Sequence, residues 1–227
     1  MLFKTNLNKK LNYSLIDKTY RPTRGEREII YIDEIDETYW TKGGASYQRY
    51  KSNLKNKHYH KQKRKCAYCR KDLEIDADYD HLDHIVNQKR KPMWLFYPKN
   101  LVVTCHPCNM RKNADATLDD DNRVRFPLFS KAFTIFNPHF EHWSDHLYIE
   151  DGIFLKAIPH SKGLETIKVC KLYRHQVILN FAKELNLREN KTYKKLTQRI
   201  RNTKIGSRDH KALQKALDHI DNIRANN

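Results

Sequence analysis

The chain has 227 residues, and its 44 lysines and arginines against 27 aspartates and glutamates give a formal net charge of +17. Hydrophobic residues make up 39% of it, which is enough for one large or two small domains. Glycine and proline are sparse, so the composition excludes a low-complexity or linker protein. No run approaches the roughly 20 apolar residues of a membrane span, and we expect neither a membrane protein nor a signal peptide.

The charge and the cysteines suggest a class of partner and a compartment. A large excess of lysine and arginine favours a nucleic-acid partner, because cationic side chains that bind phosphates release the counterions condensed there. A basic protein without a nucleic-acid partner is the alternative. Five cysteines in a chain expected to be cytoplasmic indicate metal binding or chemistry rather than disulfides.

Periodicity and composition divide the chain into four segments. They are an irregular N-terminal arm (1–40), a central domain (41–115), an aromatic-rich segment of loops and short strands (116–163), and a helical C-terminal lobe (164–227). The elements predicted within the first two segments are strands over 29–35, 73–79, 82–86 and 101–104, and helices over 41–58 and 107–114. The fold class is therefore α+β.

Two Cys-x-x-Cys pairs bound the central part of the second segment. Cys66 and Cys69 form the first pair, and Cys105 and Cys108 form the second. Four thiolates at this double spacing predict a tetrahedral zinc site that is structural, because four cysteines leave no open position for catalysis. The intervening stretch exceeds the roughly 15–20 residues typical of a zinc ribbon, so a further element is inserted. A thioredoxin-like redox pair is the alternative, and Cys170 is expected in a helical core.

The inserted segment carries the residue types of phosphodiester hydrolysis. That reaction needs a base that titrates near neutral pH and positive charge on the leaving oxygen. His84 suits the base, and Asp83 offers a hard oxygen ligand for Mg²⁺ or Mn²⁺. Adjacent strand residues face opposite sides, so this pair requires a bend or a strand end. His84 could instead be a buried structural histidine, and Asp83 a cap.

The order of motifs resembles the zinc-containing branch of the HNH endonucleases, which have the ββα-metal fold. Asp83-His84-Ile-Val is similar to the end of the family's first strand, Asn100-Leu-Val to the start of its second, and Cys105-x-x-Cys-Asn-x-x-Lys112 to its helix. The resemblance covers roughly residues 66–113. It implies that Asn100 is a catalytic-site residue that shapes the loop and orients the base. It also implies that Lys112 contacts phosphate.

Asn109 stands where many HNH proteins have a third histidine, which gives an HNN pattern. The resemblance makes Asn109 a catalytic residue and the second ligand of the divalent ion. Asn113 and His106 are alternative ligands, although the position of His106 inside the second cysteine pair favours a surface or phosphate role. Simpler roles also remain: Asn109 as a helix N-cap, Asn100 as a turn residue, and His81 as a solvated strand residue.

The basic residues around the helix predict a nucleic-acid surface. From Arg49 to Lys71 the chain has ten lysines and arginines and no acidic residue. The candidate DNA contacts are Arg49, Lys51, Lys55, Lys57, Lys63, Arg64, Lys65, Arg111 and Lys112. Tyrosines 47, 50, 59 and 68 are interleaved with them as candidate base or sugar contacts. A merely solvated charged face is the alternative.

The C-terminal half contains a histidine cluster and a second resemblance, which suggests an ATPase partner. His139, His142 and His146 have a spacing that could hold a metal, although a packed loop is the preferred interpretation. The stretches 136–138, 166–167 and 172–174, with Gly152, resemble the nuclease subunit of Septu-type phage-defence systems, which works beside an ATPase.

The sequence therefore predicts a metal-dependent HNH endonuclease that hydrolyses double-stranded DNA in defence against foreign DNA. A zinc-containing DNA-binding protein without catalysis is one alternative. A nuclease effector that a partner ATPase controls is another.

Overall fold

The computed structural model of the chain describes residues 23–31, 35–42, 44–73, 80–112, 116–150, 154–174, 177–178, 181 and 190–225. Within these ranges helices accompany two small antiparallel sheets of two strands each, which confirms the predicted α+β class. None of the helices in the described ranges combines the length and the hydrophobicity that crossing a bilayer requires.

Three helices occupy the described N-terminal part: α1 (Arg24–Ile30), α2 (Tyr39–Lys42) and α3 (Ala45–Lys61). Thr23 and Glu26 form a reciprocal capping box that starts α1. The prediction of a strand from residue 29 is therefore wrong where that segment is described, and the arm is not irregular there. The helix predicted over 41–58 is divided, because Gly44 lies in an extended conformation and caps α3.

The centre of the fold is a hairpin followed immediately by a helix. Strand β1 (Asp80–His84) pairs with β2 (Leu101–Cys105), and α4 (His106–Lys112) begins at the next residue. The first strand ends two residues before the predicted boundary, where the opposite segment becomes the 3-10 helix Pro98–Asn100. The backbone of Ile85 still donates to the carbonyl of Asn100 at 2.7 Å. The strand predicted over 73–79 has residues 74–79 outside the described part of the chain.

The loop between β1 and β2 packs against the N-terminal helices. It contains two short 3-10 helices, Pro92–Trp94 and Pro98–Asn100. Leu95 and Phe96 are fully buried in a cluster with apolar side chains of α1 and α3. The hydroxyl of Tyr50 on α3 donates to the carbonyl of Phe96 at 2.7 Å. This packing holds the loop over the end of β1.

The C-terminal half supplies a second hairpin, in the segment where short strands are predicted, and further helices. The elements are β3 (Leu147–Glu150), β4 (Phe154–Ala157), α5 (Gly163–Val169), α6 (Asn190–Arg201) and α7 (Arg208–Ala225). Gly163 must lack a side chain, because a Cβ there would lie 1.9 Å from the carbonyl oxygen of His146. Thr166 of α5 accepts from the backbone of Phe136 at 3.2 Å, which joins two of the stretches that resemble the Septu-type subunit.

Candidate active site and metal centre

The four cysteines of the two pairs come together in the core. Their Sγ atoms lie within 4.8 Å of one another, and all four side chains are buried. Cys69 Sγ and Cys105 Sγ are 3.7 Å apart, close to the roughly 3.8 Å between two thiolates on a tetrahedral zinc ion with bonds of about 2.3 Å. The donor set and spacing therefore fit a structural zinc ion. Cys170 is buried, as predicted, but it is the C-cap of the helix Gly163–Val169 rather than a residue within it.

The C-terminal half closes around this cluster. Arg174 is 6% exposed, and its guanidinium donates to Cys108 Sγ at 2.9 Å and to the carbonyl of Cys170 at 2.9 Å. Trp143 donates from Nε1 to the carbonyl of Tyr68, inside the first cysteine pair, at 2.8 Å. A cationic donor beside a thiolate offsets the negative charge of a zinc–cysteine centre. The cluster therefore joins the hairpin to the C-terminal half.

Asp83 projects from β1 towards α4. One carboxylate oxygen lies 3.3 Å from Nζ of Lys112, and the other, Oδ2, is buried without a hydrogen-bond partner in the described part of the chain. Burial raises the pKa of Asp83 to about 6, although Lys112 opposes that shift. Lys112 is 1% exposed and also donates to the carbonyl of His84 at 2.5 Å. Because α4 turns this face towards β1, the Lys112 side chain is paired inside the protein, and its predicted contact with phosphate stays a prediction.

His84 is the last residue of β1, so the strand end that the Asp-His pair requires is present. Its Nε2 lies 2.9 Å from the carbonyl of Leu95. A carbonyl only accepts, so Nε2 carries the proton and Nδ1 keeps its lone pair. Burial lowers the pKa of His84 to about 3, against the effect of that hydrogen bond. The ring of Trp40 covers the imidazole edge-on, with centroids 4.4 Å apart, and Lys51 donates to the carbonyl of Trp40.

Asn100 holds together the two ends of the loop. Its Oδ1 accepts from the backbone of Val86 at 2.8 Å, and its Nδ2 donates to the carbonyls of Val86 and Trp94 at 3.1 and 3.2 Å. The side chain is fully buried. These bonds connect Val86, just after β1, to the segment that carries Leu95. Asn100 therefore joins two parts of the loop and is not merely a turn residue.

The remaining predicted ligands lie on or beside α4. Asn109 is half-buried and is the fourth residue of the helix, so it is not the N-cap. It precedes Lys112 by three residues and shares its helix face towards β1. Asn113 lies outside the described residues. His106 is exposed, and its Nδ1 lies 2.9 Å from Nε2 of His81.

The predicted nucleic-acid contacts divide by exposure. Arg49, Lys63, Arg64 and Arg111 are exposed, while Lys55 and Lys57 are half-buried. The others are partly engaged elsewhere: Lys65 lies 2.9 Å from Asp72, and Lys51 and Lys112 make the contacts described above.

Three of the interleaved tyrosines and two of the clustered histidines make structural contacts. Tyr47 and His142 are half-buried, and their predicted roles stay predictions. Tyr50, Tyr59 and Tyr68 are buried, so they are not available to bases or sugars, because they form the face of the chain that packs inward. His139 is buried with Nε2 2.8 Å from the carbonyl of Leu101, and His146 pairs with Glu141 at 3.2 Å. These contacts agree with the preferred interpretation of a packed loop.

Sequence reasoning missed three participants in these sites. Trp40 covers His84, Leu95 orients it through a backbone carbonyl, and Arg174 reaches Cys108 from far along the chain. No local pattern marks them, because each acts through a tertiary contact. No known family model and no curated protein matches the chain.

Proposed function

We propose that this chain is a metal-dependent endonuclease of the HNH type, with a ββα-metal centre that hydrolyses phosphodiester bonds of DNA. One observation carries the proposal: His84 donates its Nε2 proton to the carbonyl of Leu95, which leaves Nδ1 as a base next to Asp83. The order of β1, β2 and α4 supports the proposal, because the HNH motif that the chain resembles runs over two strands and a helix.

His84 is the proposed general base. With its Nε2 proton held by a carbonyl, the imidazole accepts a proton from water at Nδ1, without a change of tautomer. Its low pKa keeps the ring neutral at pH 7. A polyanionic substrate beside the ring favours the protonated form, which raises the pKa towards the range where a base is efficient.

Asp83 and Asn109 are the proposed ligands of Mg²⁺ or Mn²⁺. The fit rests on the buried Oδ2 of Asp83, which has no other partner in the described chain, and on the preference of these ions for oxygen ligands. A bound divalent cation there would stabilise negative charge on the phosphate and the leaving 3′ oxygen. Lys112 favours ionised Asp83, which is the form that binds a cation.

Asn100 is proposed as a positioning residue. Its three hydrogen bonds connect Val86, directly beyond the end of β1, with Trp94, directly before the carbonyl that orients His84. The loop therefore keeps Leu95 at a fixed distance from the imidazole, and a general base gains most when its geometry is set before the substrate binds.

The zinc ion that we propose for the four cysteines is structural. It would hold the segment before β1 against the junction of β2 and α4. The exposed cations Arg49, Lys63, Arg64 and Arg111 are proposed contacts to duplex phosphates, since a net charge of +17 favours a polyanion. A role in defence and an ATPase partner stay predictions from the resemblance.

Plasmid cleavage in Mg²⁺ or Mn²⁺ tests the proposal. Wild type is compared with His84→Ala, and His60→Ala on the exposed surface of α3 is the matched control. All three proteins are first shown to hold one zinc ion and to bind DNA. We expect nicking or linearisation by wild type and the control, and none by His84→Ala. If no variant cuts but all bind DNA, the chain is a zinc-containing DNA-binding protein, and activity only with an added ATPase would indicate the partner-controlled effector.

A further inference from the structure

His81 near the start of β1 and His106 at the start of α4 face each other. Their nearest ring nitrogens, Nε2 and Nδ1, are 2.9 Å apart, and the ring centroids are 5.0 Å apart. His81 precedes Asp83 by two strand residues and so lies on the same face of β1. His106 precedes Asn109 by three helix residues. The two histidines therefore form a second pair beside Asp83 and Asn109, in an exposed position.

The separation of the two nitrogens matches that of neighbouring ligands on one metal ion. With metal–nitrogen bonds of about 2.1 Å, two ligands at a right angle are about 3.0 Å apart, and two at the tetrahedral angle are about 3.4 Å apart. The observed 2.9 Å fits the right angle. Right-angled nitrogen ligands are typical of Ni²⁺ and Cu²⁺.

We propose that His81 and His106 form a two-histidine site for a divalent transition metal ion of the Ni²⁺ and Cu²⁺ class. Mg²⁺ prefers oxygen ligands and would not bind here. The site is separate from the four cysteines and does not depend on the proposed nuclease activity. Two protein ligands leave the other coordination positions to water or to an anionic oxygen. An ion there would add positive charge to the surface beside Asp83 and Asn109.

Two neutral imidazoles joined by a hydrogen bond would have the same separation without binding a metal. A metal-binding measurement therefore distinguishes the two arrangements. Calorimetric titration of Ni²⁺ into the full-length, zinc-loaded protein, prepared without a polyhistidine tag, is the direct test. We expect wild type and the His60→Ala control to bind one saturable equivalent of Ni²⁺ more than either histidine variant, whether or not Asp83 and Asn109 bind an ion of their own. In His81→Ala and in His106→Ala the affinity falls at least about tenfold. Absence of the equivalent in wild type, or its survival in both variants, overturns the proposal.

A Lys55 variant provides an additional test that leaves both proposed ligands in place. It lies on α3, close enough to act electrostatically on His81. Removing a positive charge next to a cation site strengthens cation binding. Lys55→Gln is therefore expected to shift the Ni²⁺ titration towards tighter binding, and unchanged or weaker binding would place the ion elsewhere. Because the readout is the heat of Ni²⁺ binding, failure of plasmid cleavage leaves this result intact.

Discussion

Replacing Asn100 by aspartate tests the role of the loop with almost no change of shape. In Asn100→Asp the Oδ1 bond from Val86 is kept, but Nδ2 becomes an oxygen that faces the carbonyls of Val86 and Trp94. Each buried carbonyl that loses its donor costs about 1–3 kcal/mol, so the two together cost about 4 kcal/mol. For a chain of this size that lowers Tm by about 8–16 °C.

Urea denaturation and thermal unfolding of the zinc-loaded protein measure this cost. Asn122→Asp is the matched control, because Asn122 is exposed and the same change there should shift stability by no more than about 0.5 kcal/mol. Cleavage should fall further than DNA binding, since the altered loop no longer holds Leu95 against His84. A loss of stability below about 1 kcal/mol in Asn100→Asp would refute the argument that these bonds hold the loop.

The other predictions concern the cysteines, the buried ion pair and the base. Cys108→Ser should lose zinc and cooperative unfolding, whereas Cys170→Ala keeps one zinc per chain by metal analysis; equal zinc content would exclude the four-cysteine site. Lys112→Met leaves Asp83 buried without its cation, so the free energy of unfolding measured in urea should fall by about 3–5 kcal/mol. An unchanged free energy of unfolding would mean that the ion pair is not formed. Burial lowers the pKa of His84 to about 3, so folding is weakened as pH falls below about 6.5. Between pH 7 and 5 protonation of His84 lowers the free energy of unfolding of wild type by about 2 kcal/mol, and His84→Gln lacks this loss. If the free energies of unfolding of the two proteins changed in parallel with pH, that would contradict the prediction.

The pKa of Asp83 shifts in the opposite direction and partly conceals the effect of His84. Burial raises the pKa of Asp83 to about 6, above its unfolded value near 3.9, so stability is lost as pH rises through that range. Between pH 7 and 5 protonation of Asp83 therefore stabilises the fold while that of His84 would destabilise it. The comparison with His84→Gln isolates one term, because both proteins retain Asp83.

The prediction of the cysteine cluster succeeded because ligand spacing is a local property. Two Cys-x-x-Cys turns each present two sulfurs on one side, and only their meeting depends on the fold. The short strand from Leu101 and the helix after it followed in the same way from β-branched residues and from the second cysteine pair. The strand predicted from residue 29 failed because the capping box at Thr23 outweighed the apolar run.

The sequence by itself determined the residue types: four cysteines in pairs, Asp83 beside His84, Asn109 three residues before Lys112, and a strong excess of cations. Spacing along the chain is enough for these, because each depends on a single turn, strand end or helix face. Tertiary structure decided what surrounds them. It placed Lys112 against Asp83 rather than in solvent, and it set Trp40 over His84. Such contacts join distant segments, and only the packing of α4 on β1 and of the N-terminal helices on the loop brings them together.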